Sequence, residues 1–156
     1  MWVFALIGLI LVAAGCSSPQ ADKWSQRILT NNWVASYQVV FHQEDGDLTM
    51  QIGESRHETL LLEVTTPGGV VLTREFNEGF FSSDLDGKVQ WANQVGYPPV
   101  WSLYALAMRV AEAPELTKQG EWLTFNGFSM RITKEGLAQV KYLDQWTLTV
   151  ASLGWQ

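Results

Sequence analysis

The chain of 156 residues has one cysteine, two histidines and few basic side chains. A single thiol excludes an internal disulfide and a multi-cysteine zinc site. Ten Lys and Arg stand against sixteen Asp and Glu, a formal net charge of −6. That balance lacks the basic footprint of a nucleic-acid binder, so no nucleic-acid partner is expected. The 13 glycines and 5 prolines form no tract, which excludes collagenous and low-complexity chains. There is no Gly-x-Ser-x-Gly elbow, phosphate loop or His-Glu-x-x-His, no βαβ rhythm and no internal repeat. Apolar residues are plentiful: 47% of the chain is hydrophobic and 12% aromatic, enough to fill the core of one domain.

The first charge is Asp22, after an uncharged run from Met1 to Gly15 that ends in Ala13-Ala14-Gly15-Cys16. A permanent membrane helix needs about 20 apolar residues, so this run fits the hydrophobic region of a secretory signal better. With small residues directly before the cysteine, it resembles a bacterial lipoprotein signal, although no Lys or Arg precedes the apolar run and Ala stands where Leu is commoner. The resemblance implies cleavage before Cys16 and acylation of that residue, with the membrane as partner through Cys16. Ser17 after the cysteine, rather than Asp, resembles an outer-membrane address. The expected organisation is a signal over 1–15, a lipidated tether over 16–22 and one domain over 23–156.

In the mature chain, Trp24, Ile28 and Leu29 give a narrow apolar stripe that predicts a short helix over Asp22–Asn32. Strand signals follow. Ser36–Gln43 is rich in β-branched and aromatic residues, and Asp45-Gly46 marks a hairpin turn. Leu48, Met50 and Ile52 alternate with polar residues, Leu60, Leu62 and Val64 share a face, and Pro67-Gly68-Gly69 turns the chain. A second acidic turn is expected at Asp84–Gly87. Pro98-Pro99 and Pro114 bracket a run that predicts a helix from Val100 to Ala113, with Val100, Leu103, Tyr104, Ala107, Met108 and Ala111 on its apolar face. Strands then return: Phe128, Met130 and Ile132 alternate with polar residues, Lys134-Glu135-Gly136 forms a loop, Ala138, Val140 and Tyr142 are expected inward, and so are Trp146, Leu148 and Val150. The expected fold is α+β, a curved antiparallel sheet with one or two covering helices.

That order behind a lipoprotein signal resembles the LolA/LolB family, half-open antiparallel barrels whose cavity holds the acyl chains of lipoproteins in transit across the periplasm. The segment Leu60–Phe76, with Thr65-Thr66-Pro67-Gly68-Gly69 at its turn, is the local match. It is also similar to LolB-like lipoproteins encoded beside aryl-polyene biosynthesis genes, where a helix rich in Leu, Trp and Pro follows, as Tyr97–Leu106 does here. The resemblance implies an acyl or lipid-like ligand, a periplasmic carrier protein as a partner, no cofactor and no catalysis. Its cavity wall would comprise Leu48, Met50, Ile52, Leu60, Leu62, Val64, Phe128, Met130, Ile132, Trp146, Leu148 and Val150. The leucine that LolB uses to push cargo into the membrane falls at Gly68, with Val70 or Val71 as neighbouring substitutes. Packed against the helix, the same wall side chains would instead make a closed core, and the protein would be a tethered scaffold of an envelope or polyene-pigment assembly.

Other constellations are weaker. His42 and His57 with Glu44 or Glu58 would make a metal site or acid–base pair only if neighbouring strands brought them together; two surface histidines are the simpler expectation. The acidic runs Glu44–Asp47 and Asp84–Gly87 lack the remainder of a calcium loop and read as turns, so no metal is expected. Trp33, Trp91, Trp101, Trp122 and Trp155 would suit a sugar groove but more simply fill a core or rim.

Overall fold

The computed structural model describes residues 18–69, 71–76, 84–85, 89–90, 98–113 and 115–156. The chain begins with α1 (Pro19–Thr30), then β1 (Trp33–Phe41), β2 (Leu48–Arg56), β3 (Leu60–Thr65) and β4 (Val71–Phe76). Two short strands, β5 (Asp84–Leu85) and β6 (Val89–Gln90), pair only with each other. Helix α2 (Leu103–Glu112) follows, then β7 (Thr117–Gln119), β8 (Trp122–Phe125), β9 (Phe128–Ile132), β10 (Leu137–Tyr142) and β11 (Trp146–Trp155). The nine-stranded antiparallel sheet runs β4-β3-β2-β1-β11-β10-β9-β8-β7. Each half is a meander, and β1 pairs with β11 to join them. The sheet is not closed; β4 and β7 are its edges. The expected α+β class, a curved antiparallel sheet with covering helices, is what the chain forms.

Alternation sets the two faces. Along β1, Trp33, Ala35, Tyr37 and Val39 are buried while Val34 and Ser36 are exposed. Met50, Ile52, Leu60, Leu62 and Val64 continue the inner face on one side, and Leu148, Trp146, Val140, Met130 and Phe128 on the other. Both helices lie over this face and touch each other. The indole Nε1–H of Trp33 donates to the Ile28 carbonyl at 2.9 Å, which ties the end of α1 to the start of β1.

Several boundaries differ from expectation, each for a local reason. Helix α1 starts at Pro19, three residues early, because Ser18 caps it by accepting from the Ala21 amide at 3.4 Å, with Pro at the first helical position. Helix α2 starts at Leu103 rather than Val100, because the Ser102 side chain accepts from the Ala105 amide at 3.0 Å. Its buried residues are Leu103, Ala105, Leu106, Ala107 and Val110; Val100 and Ala111, expected inward, are exposed. In β10 the register shifts between Leu137 and Gln139, so Leu137 and Val140 are buried and Ala138 only half so. A second irregularity beside Ser36 and Tyr37 reverses the phase of β11 beyond Val150, which turns Leu153 and Trp155 toward the core. Strands β7 and β8 extend the sheet beyond the strands expected. Asn126 (φ 46°) and Gly127 (φ 84°) join β8 to β9 with two left-handed residues, the geometry that favours Asn-Gly in a two-residue hairpin. The expected turn at 84–87 is described only at Asp84–Leu85, which is β5; the expected signal over 1–15, Cys16, Val70 and Trp91 lie outside the described residues.

Candidate functional site

Among the described residues, the inner face of the sheet is largely apolar and buries one carboxyl group. On β2 the inward positions are Met50, Ile52 and then Glu54, which is 1% exposed. Its carboxylate accepts three hydrogen bonds. The Tyr37 hydroxyl on β1 donates to Oε2 at 2.6 Å. The Leu103 amide donates to Oε2 at 2.8 Å and the Tyr104 amide to Oε1 at 3.1 Å. Those amides are the first two of α2, and helix N-termini carry unsatisfied N–H groups and a partial positive charge. Ser102 takes the third amide, so the start of α2 is closed by its own cap and by a carboxylate from the sheet beneath it.

Burial and hydrogen bonding oppose each other at Glu54. Loss of water pushes its pKa from 4.5 up to about 7, while the bonds from Tyr37, Leu103 and Tyr104 pull it down. Burial, helped by the adjacent carboxylate, raises the Tyr37 hydroxyl well above its ordinary value. The pair therefore holds α2 to the sheet through polar groups that water would otherwise solvate.

Around this point lie the side chains expected to form a cavity wall. Met50, Ile52, Leu60, Leu62, Val64, Phe128, Met130, Trp146 and Leu148 are buried, and Leu48, Ile132 and Val150 are half-buried against them. They join one cluster with Trp24 and Ile28 of α1 and with Leu103, Leu106, Ala107 and Val110 of α2. Beneath the far end of α2, Phe128 packs on Tyr142 at 4.5 Å and Phe125 at 5.3 Å between ring centroids, with the Arg109 guanidinium 5.6 Å from its own ring.

The other expected constellations do not assemble. His42 follows β1 and contacts Asp47 and Thr147, each at 3.1 Å, whereas His57 lies in the turn beyond the opposite end of β2. Among the described residues no group of His, Cys, Asp and Glu is placed to hold a metal ion. Trp33 and Trp101 are core residues, Trp122 lies under the Lys141 ammonium, and Trp155 under the Arg27 guanidinium, so these four described tryptophans form no common groove. Gly68 sits in the β3–β4 turn, exposed. No described helix is long and apolar enough to cross a membrane.

The Glu54–Tyr37 pair was not among the expected site residues. Its signal is present: continuing the Leu48, Met50, Ile52 alternation by one step puts an acid on the buried face. No family model and no curated protein matches the chain.

Proposed function

We propose that this chain is an outer-membrane lipoprotein of the LolB-like kind, anchored at Cys16 and facing the periplasm. It holds an acyl chain or similar lipid against the inner face of its sheet and passes it on without catalysis. One observation carries the reading: the helix over an otherwise apolar face is secured at its start by a buried carboxylate, Glu54, through Leu103 and Tyr104. A cover held by a few polar bonds has a discrete way to release, because water can replace those bonds once α2 lifts. The face then exposed is wide and apolar, and burial of about sixteen methylenes is worth roughly 12 kcal/mol before ordering costs. Its cargo would come from a periplasmic carrier protein.

The test is native mass spectrometry of the soluble Cys16→Ala chain titrated with a long-chain fatty acid and with phosphatidylglycerol. A one-to-one adduct is expected, and its absence for both ligands overturns the reading.

A second reading is favoured by the packing itself. Met50, Leu62, Val64, Val140 and Leu148 are each 0% exposed and belong to one buried cluster with residues of both helices. With α2 permanently seated, the protein is a tethered scaffold of an envelope or polyene-pigment assembly. Cross-linking in cells that captures one dominant protein partner, with no lipid adduct, selects this alternative.

A further inference from the structure

The strand register sorts the connections onto two ends of the sheet. Phe41 pairs with Leu48 and Trp146, and Phe128 with Tyr142, so the β1–β2, β8–β9 and β10–β11 turns share one end. Trp33 pairs with Arg56 and Trp155, and Leu137 with Ile132, so the β2–β3 and β9–β10 turns share the other, as does the β7–β8 turn, since Trp122 pairs with Arg131. Ser18, where α1 begins, lines a cleft with Lys118, Gly120, Arg131 and Lys134, and therefore lies at this second end.

The charges follow the same division. The first end carries Glu44, Asp45, Asp47 and Asp144 on exposed turns. The second carries Lys23 and Arg27 along α1 and Lys118, Arg131 and Lys134 beside it. Arg56 and His57 stand at the β2–β3 turn of this end, and acids are present there too: Asp22, Glu58, Glu135 and Glu121, the last 4.0 Å from Arg131. Still, bases predominate at this end of a chain whose net charge is −6. Arg27 is held over the Trp155 ring at 3.9 Å, and Trp24 and Trp155 line the cleft shared by Lys23, Arg27 and Lys134. Basic side chains beside tryptophan suit the boundary between water and a bilayer.

We infer that the end of the sheet bearing Lys23, Arg27, Lys118, Arg131 and Lys134 is a lipid-facing surface that rests on the phosphates of an anionic bilayer, with the acidic turns directed away from it. The inference rests on the anchor part of the proposed function and is independent of the acyl ligand. Cys16 stands two positions before Ser18. Two extended residues span roughly 7 Å, so an acylated Cys16 keeps this end within one Debye length of the headgroups. At that distance Lys and Arg side chains are drawn to an anionic surface and the acidic turns are repelled.

The test is lysine footprinting of the full lipidated protein with an amine-acetylating reagent, read by peptide mass. The protein is compared in vesicles containing phosphatidylglycerol, in pure phosphatidylcholine vesicles and in neutral detergent. In the anionic vesicles Lys23, Lys118 and Lys134 should react several-fold more slowly than in detergent, while the exposed carboxylates of Glu44, Asp45 and Asp144, labelled in a parallel run with carbodiimide and glycine ethyl ester, react equally in both. The protection should fall in phosphatidylcholine, at high salt and in the Lys118→Glu/Lys134→Glu variant, read at Lys23. Equal reactivity throughout, protection of Glu44, Asp45 and Asp144 instead, or protection that persists undiminished in phosphatidylcholine overturns the surface. A Cys16 peptide without acyl mass overturns the anchor and this surface together. Failure of the fatty-acid titration leaves the surface standing.

Discussion

The Leu103 amide lies 2.8 Å from Glu54 Oε2, so a strand residue closes a helix that begins 49 positions later in the chain. This bond and its companion from Tyr104 at 3.1 Å fix where α2 starts over the sheet. Glu54→Ala leaves two buried amides and the Tyr37 hydroxyl without their acceptor. Each such loss costs about 1–3 kcal/mol. The variant should unfold at lower urea, with a loss of about 3 kcal/mol after partial rescue by water. An unchanged midpoint would show that α2 is held by packing alone.

The raised pKa of Glu54 sets the sign of a pH effect. The unfolded carboxyl releases its proton near 4.5 and the folded one near 7. Between those values the folded state binds more protons, so Glu54's contribution to stability is full below pH 4.5 and is lost as pH rises through 7. The neutral isostere Glu54→Gln escapes this loss. The stability of the parent relative to Glu54→Gln should therefore fall by about 3 kcal/mol over that range, since one pKa unit is about 1.4 kcal/mol. Urea midpoints across the range measure it; a constant difference overturns the assignment.

Much of the fold was legible because alternation is strict where one face is buried. The strands around Met50, Leu62, Met130 and Leu148 were readable from it, as was the hairpin turn at Gly46. The interruptions of that period were not legible. The irregularities at Leu137 and beside Tyr37 depend on pairing between strands and leave no mark in one sequence. Other misses did have a signal: Ser18-Pro19 is a cap followed by a first-turn proline, and Asn126-Gly127 is a hairpin pair. For the site, Glu54 was in phase with the buried residues. Its partner could not be read, because the distance from Glu54 to Leu103 is set by the tertiary fold.

Leu143 and Gly127 meet across two neighbouring turns. The Leu143 amide donates to the Gly127 carbonyl at 3.0 Å, and a Cβ on Gly127 would stand 3.1 Å from Leu143 Cδ2. Gly127 has φ 84° and Leu143 has φ 45°, both left-handed, and Leu143 is 60% exposed. Gly127→Ala should cost about 1–2 kcal/mol, part from φ and part from the contact. Leu143→Gly should be neutral or stabilising by up to about 1 kcal/mol, since a strained residue with little burial is removed. The double variant should recover part of the Gly127→Ala loss; strict additivity would mean that the contact is relieved elsewhere.

Acylation is the premise of the membrane location. Each buried methylene is worth about 0.8 kcal/mol, so a multiply acylated Cys16 should keep the protein in the membrane fraction through washes with high salt. Cys16→Ser removes the only thiol and should abolish incorporation of labelled palmitate. Palmitate found on the Cys16→Ser protein would place any lipid elsewhere and remove the anchor from the argument.

If Glu54 secures a cover, its loss should loosen α2 and leave the sheet intact. The seam between β1 and β11 is continuous from Trp33–Trp155 to Phe41–Trp146, and it does not involve α2. Hydrogen exchange separates these regions, because amides exchange through the least costly opening that exposes them. In parent and Glu54→Ala alike, the amides of Leu106, Ala107 and Val110 should exchange through a smaller opening free energy than those of Val39 and Leu148, which open only with the whole fold. The same variant should take up a fatty acid faster, since lifting α2 precedes entry. Equal opening free energies in helix and sheet would mean that α2 opens only with the whole fold and is no separate cover, which would leave the scaffold reading in its place.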